Sequence, residues 1–114
     1  MKYALLIYGS PESRERHEED QESVLAEYEA LFRAPGVVDG LRLQPPESAT
    51  TVRVENGDAL LSDGPFVDAK EYLGGLYVLE ADNLDAATAM AQRIPAARLG
   101  GAVEVRPINE QPPR

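Results

Sequence analysis

Ser62-Asp63-Gly64-Pro65-Phe66 is a sharp acidic turn set between two apolar runs that read as strands, Ala59-Leu60-Leu61 before it and Gly75-Leu76-Tyr77-Val78-Leu79-Glu80 after it. The chain divides about this turn. Immediately upstream, Thr50-Thr51-Val52-Arg53-Val54 and Ala59-Leu60-Leu61 flank Glu55-Asn56-Gly57-Asp58. Asn-Gly accepts the positive φ angles of a two-residue turn, so these runs form a tight hairpin.

Further upstream, Tyr3-Ala4-Leu5-Leu6-Ile7-Tyr8 is a nearly continuous apolar run ended by Gly9-Ser10-Pro11, the pattern of a central strand buried on both faces. Glu12 to Glu22 is dense in charge, and Ser10 and Pro11 stand where an N-cap and a first helical residue belong. The segment is either a helix start or a mobile loop. From Val24 onward the pattern is helical, with Val24, Leu25, Tyr28, Leu31 and Phe32 on one face, and Pro35-Gly36 stops it. Val37 to Leu43 is an irregular strand interrupted by Gly40; Pro45-Pro46 ends it and places it near a sheet edge.

Downstream, Asp82 or Asn83 caps a helix with the apolar stripe Leu84, Ala87, Ala91 and Ile94, which Pro95 terminates. Val103-Glu104-Val105-Arg106 is the last strand, and Pro107 to Arg114 is a polar tail. The order β, α, β, hairpin, β, α, β predicts an α+β domain, a ferredoxin-like subunit with an inserted β-hairpin. Both helices cover one sheet face. The other face needs cover, and five tyrosines with few strands of strict polar alternation point to a second copy of the chain, a homodimer with its sheets face to face.

The composition limits function. At 114 residues there is room for one domain over 1–114. A net charge of −9, from 20 acidic and 11 basic side chains, repels nucleic-acid backbones and anionic membranes. With no cysteine and one histidine, neither a disulfide framework nor a transition-metal site is expected, and the absence of cysteine suits a reducing cytoplasm. Residues 3–8 are too short a run for a secretion signal or a membrane span. The glycine pairs lack a phosphate-loop frame, and no cofactor is expected.

Gln44-Pro45-Pro46, Thr50 to Val54, Asp63-Gly64-Pro65-Phe66, Lys70-Glu71, Leu73-Gly74-Gly75 and Pro95-Ala96-Ala97-Arg98, taken in order, resemble the YCII-related proteins of the DGPF type. The likeness runs from Lys2 to about Ile108. It implies a dimeric α+β barrel in the bacterial cytoplasm, without a settled activity for the type. Members of that type are often encoded beside extracytoplasmic-function sigma factors, which implies regulation as an alternative to catalysis. Some relatives are thought to use a histidine and an aspartate, and His17 is the histidine available here.

Each candidate residue carries two readings. Asp63 is a general acid or base at a barrel mouth, or it caps its own turn through backbone N–H groups, with Gly64 taking a special dihedral. His17 is a proton shuttle, sharing a face with Gln21, Val24 and Tyr28 if the helix extends backward, or it is one member of a solvated charge run. Arg98 clamps a ligand carboxylate, or it ties loops together by pairing with Asp63 or Glu71. Tyr72, Phe66 and Tyr8 line a ligand pocket or fill the core. Together they describe a cleft for a small organic ligand in which Asp63 and His17 move a proton on a carbonyl or lactone held by Arg98 and Tyr72. The alternative is a non-catalytic binding or regulatory module.

Overall fold

The computed structural model describes residues 1–110. Its elements are β1 (Lys2–Gly9), α1 (Pro11–Glu18), α2 (Gln21–Phe32), β2 (Val37–Arg42), β3 (Thr50–Glu55), β4 (Asp58–Asp63), β5 (Tyr72–Glu80), α3 (Leu84–Ala91) and β6 (Ala102–Pro107), with short 3-10 turns at Pro46–Ser48 and Pro95–Ala97. β2, β5, β1 and β6 form a four-stranded sheet in that order, and its neighbouring strands are all antiparallel. This is the expected ferredoxin-like plan. β3 and β4 pair only with each other and stand apart as the inserted hairpin.

The charged segment after β1 is helical. Ser10 Oγ accepts the Ser13 N–H at 3.1 Å, Pro11 opens the helix, and α1 breaks at Glu19-Asp20 before α2 begins. In α3 the cap is Asn83, whose Oδ1 accepts the Ala86 N–H at 2.9 Å. Ala87, Ala91 and Ile94 are buried as the stripe requires, but Leu84 is exposed and the helix ends before Pro95.

β1 is central but is not buried on both faces. Tyr3 and Leu5 turn toward the helices and are buried; Ala4 and Leu6 turn the other way and are half-buried. On the helix side Tyr3 and Leu5 pack with Leu79, Tyr77, Leu31, Ala87 and Ile94 in one core. The opposite face presents Ala4, Leu6, Leu76, Val78 and Leu41 in register, with no helix over them. β2 lies at the sheet edge, as expected, but it ends at Arg42, before Pro45 and Pro46. Gly40 there has no side chain because Phe32 and Tyr77 meet across it; a Cβ would come within 2.8 Å of the Tyr77 ring.

Asn56 (φ 52°) and Gly57 (φ 83°) make the tight turn of the β3–β4 hairpin. None of its residues is buried, and Val52, Val54 and Leu61 are exposed. The radius of gyration is 15.9 Å, above the value of about 13 Å expected for a compact chain of this length. The molecule measures 46 × 41 × 19 Å, a plate with the hairpin extending from it. At the C-terminus, Pro107 completes β6, the Ile108 N–H donates to Lys2 O at 2.9 Å, and Glu110 accepts the Lys2 N–H at 2.8 Å. The tail expected from Pro107 is thus tied to β1 through Glu110; the rest of that expectation, over 111–114, lies outside the described residues.

Candidate functional site

A cavity of about 760 Å³ opens between the two N-terminal helices and the edge of the sheet. β1 contributes Tyr8, α1 contributes Arg14 and His17, α2 contributes Tyr28, β2 contributes Arg42, and β5 contributes Tyr72. The elements meet there for local reasons. Ser10 and Pro11 start α1 immediately after β1, so the polar face of α1 lies beside the end of the sheet. A register shift between Ile7 and Tyr8 sets Tyr8 opposite Leu73 at the same end.

His17 is held through both ring nitrogens. Its Nδ1 lies 2.7 Å from the Ser13 carbonyl oxygen and its Nε2 lies 3.0 Å from the Tyr28 hydroxyl. A carbonyl only accepts, so Nδ1 carries the proton; in the neutral ring, Nε2 then presents a lone pair to which Tyr28 donates. Burial pushes the Tyr28 phenol above its ordinary range, against smaller downward pulls from the Ala96 N–H and from Arg42 and Arg98. Tyr28 therefore stays a hydrogen-bond donor across neutral pH. Below it, the Tyr77 hydroxyl donates to the Tyr28 carbonyl at 2.8 Å, and burial lifts that phenol to about 12.

A second cluster surrounds Tyr72. Arg14 Nε donates to the Tyr72 hydroxyl at 3.2 Å, the guanidinium lies 5.4 Å from the Tyr72 ring centre, and Arg14 Nη2 reaches Glu47 at 3.3 Å. The Arg14 contact holds the Glu47 carboxyl below its usual range. Arg42 follows Gly40 by two residues and shares its helix-side face; among the described residues it makes no ion pair.

The sequence-derived residues separate into two groups. His17, Tyr72 and Tyr8 line the cavity; Asp63, Phe66 and Arg98 do not. Asp63 ends β4, exposed, and makes no side-chain hydrogen bond among the described residues. The turn is held through Gly64 instead, which takes φ +97°, donates its N–H to Ala49 O at 2.7 Å and accepts the Thr51 hydroxyl at 2.8 Å. Phe66 is exposed, with the Arg53 guanidinium 5.3 Å from its ring centre. Arg98 is engaged by Glu27 through both terminal guanidinium nitrogens, at 2.9 and 2.5 Å, rather than by Asp63 or Glu71. Arg14, Arg42 and the hydroxyl of Tyr28 are the site groups that the sequence left unmarked. The i to i+2 spacing of Gly40 and Arg42 in an edge strand was the available signal for Arg42.

A family model described as a YCII-related domain matches residues 1–111. The chain belongs to the YCII-related family. Among its relatives is an uncharacterised protein of Rhizobium meliloti, 33% identical, with the match covering 95% of this chain and 92% of that protein. The fold is similar to that of 5-chloro-2-hydroxyhydroquinone dehydrochlorinase from Burkholderia phenoliruptrix, solved in complex with 2,5-dihydroxybenzoquinone. That likeness has a TM-score of 0.55 and 18% identity and covers 97% of this chain and 96% of the other. Among the described residues of this YCII-related protein, no helix is long and apolar enough to cross a membrane.

Proposed function

We propose that this YCII-related protein binds a small organic molecule in the cavity beside His17 and moves a proton on it without a cofactor. The observation that carries this reading is the bond pair on His17. Ser13 O fixes the tautomer, and Tyr28 meets the remaining lone pair at the wall of an open cavity. A proton relay needs that arrangement: a fixed ring whose one lone pair accepts from a hydroxyl carried by a cavity-lining residue. In such a step the ligand C–H bond breaks, its proton goes to the Tyr28 oxygen as the Tyr28 hydroxyl proton passes to Nε2, and the electron pair shifts onto the ligand's carbonyl oxygen as an enolate. Return of the proton at another carbon completes an isomerisation. Support of a weaker kind comes from the similar fold of an enzyme that processes a hydroxylated ring.

The proton work falls to His17 and Tyr28 in this reading, and Asp63 stays with its turn. The test is exchange in heavy water. The protein is incubated with a panel of enolisable cyclic ketones and lactones, and deuterium uptake is followed by NMR. Uptake that falls about a hundredfold in His17→Gln supports the proposal; uptake equal in the two proteins overturns it.

We further propose that two copies associate through the helix-free sheet face. The apolar row of Ala4, Leu6, Leu76, Val78 and Leu41 supports this, as does a hairpin none of whose residues is buried. Sedimentation that shows only monomer at micromolar concentration would contradict it.

A further inference from the structure

The charge around the cavity runs against the charge of the chain. The protein has 20 acidic side chains to 11 basic ones, yet Arg14, Arg33 and Arg42 line the cavity against Glu18 and Glu29. The three arginines come from α1, the residue after α2, and β2, so no single charged segment explains their meeting. Arg14 is half-buried and braced by Tyr72, and its pairing with Glu47 is long and exposed, with 39% and 68% of the two side chains accessible. An exposed pair of that kind contributes little and exchanges readily. Arg42 is close enough to Tyr28 to lower its phenol by charge, and among the described residues it has no acidic partner. Between these groups the wall is apolar, formed by Val24, Leu25, Phe32 and Leu43.

We propose that the cavity selects a small organic anion, with its carboxylate or enolate oxygens on Arg42 and exchanging with Glu47 on Arg14, and its apolar body against Val24, Leu25 and Phe32. This deepens the reading of the His17 cavity as the ligand site and rests on it. A guanidinium fork matches two anionic oxygens in one plane, whereas an ammonium of the ligand would meet like charge and a neutral amide would offer only one uncharged acceptor. The same placement aids the proton step. As the ligand loses its proton through Tyr28 to His17, negative charge grows on an oxygen held at Arg42.

The experiment reads binding alone, so it stands whether or not turnover is ever observed. 4-Hydroxybenzoate and its neutral counterpart 4-hydroxybenzamide are titrated into the whole protein by calorimetry, at low and at physiological salt. The expected result is a preference for the acid of about tenfold or more. Arg42→Gln is expected to remove that preference without altering the affinity for the amide, and Arg42→Lys to restore part of it. Equal affinity for acid and amide overturns the anion class while leaving the cavity as a ligand site. A preference that survives Arg42→Gln overturns the role of Arg42, and binding of neither probe at millimolar concentration overturns the proposal together with the cavity reading. His17→Gln provides the separation: it is expected to slow deuterium uptake about a hundredfold while keeping the preference for the acid.

Discussion

The four-stranded sheet and the β3–β4 hairpin contain similar strand-forming sequence but are held by different forces. In the sheet, every strand pairs with at least one neighbour and its inner face lies under helices, so Leu5, Tyr77 and Leu79 are buried. In the hairpin, the turn residues and six facing pairs set the register, yet no side chain is buried. Turn chemistry is enough to choose a conformation; it is not enough to stabilise one, since an isolated two-stranded hairpin is marginal in water. The candidate chemistry follows the same division. His17 and Tyr28 stand on the packed half, where their geometry is braced, and Asp63 stands on the hairpin, none of whose residues is buried.

The largest expected effect tests that contrast directly. Leu5→Ala removes a fully buried side chain and is expected to cost about 2–5 kcal/mol in chemical denaturation, whereas Leu61→Ala should lie within about 0.5 kcal/mol in the monomer. A cost for Leu61→Ala that rises with protein concentration would mean that a second copy covers the hairpin. Next in size is the catalytic contrast: His17→Gln should slow deuterium exchange about a hundredfold, and Asp63→Asn should leave it within about twofold. An equal loss in the two variants would return Asp63 to the chemistry.

A smaller effect is expected at the turn. Gly57→Ala forces a Cβ into positive φ and should cost about 1–2 kcal/mol. If the hairpin is energetically separate, that loss appears in amide exchange of β3 and β4 and leaves the main melting transition in place. On the packed side, Tyr77 has a folded-state pKa of about 12 against an ordinary 10, so its contribution is complete below pH 10 and fades as pH rises toward 12. Tyr77→Phe should flatten that alkaline decline, at a cost of about 1 kcal/mol near neutral pH for the lost bond to the Tyr28 carbonyl. The smallest effect belongs to the Arg98–Glu27 pair. The hydrogen bond to Arg98 lowers the Glu27 carboxyl from its ordinary 4.5, so any stability it adds is present above that pH and lost as pH falls below it. Glu27→Gln should abolish that acid-side difference, and because the pair is exposed, added salt should shrink it in the wild type.

Much of this architecture is legible in the residues because it depends on local rules. Asn56-Gly57 specifies its turn, Ser10-Pro11 its helix start, and the spacing of Val24, Tyr28 and Leu31 its packed face. Partial exposure of β1 was not legible: a continuous apolar run looks the same whether helices or only a second chain cover its outer face. The site is half legible for a related reason. His17 and Tyr28 share a face along the helical period, and they meet even though α1 and α2 are separate helices. Arg98 turned to Glu27 on α2 because the meeting of a loop and a helix in space depends on tertiary placement, which sequence separation does not reveal. Arg14 lay hidden in a run of charges that reads as a solvated face, and only the sheet end brings Tyr72 to it.

The 19 Å thickness of the plate carries a hydrodynamic consequence. A single copy is an oblate particle with excess drag, so it would sediment more slowly and elute earlier from a sizing column than a sphere of its mass. Two plates stacked on their broad faces would be about 38 Å thick, close to their other two dimensions of 46 and 41 Å. Association would double the mass while making the particle rounder. Dilution through the dissociation range would therefore raise the frictional ratio as the mass falls, a signature that an end-to-end pair of plates would not give.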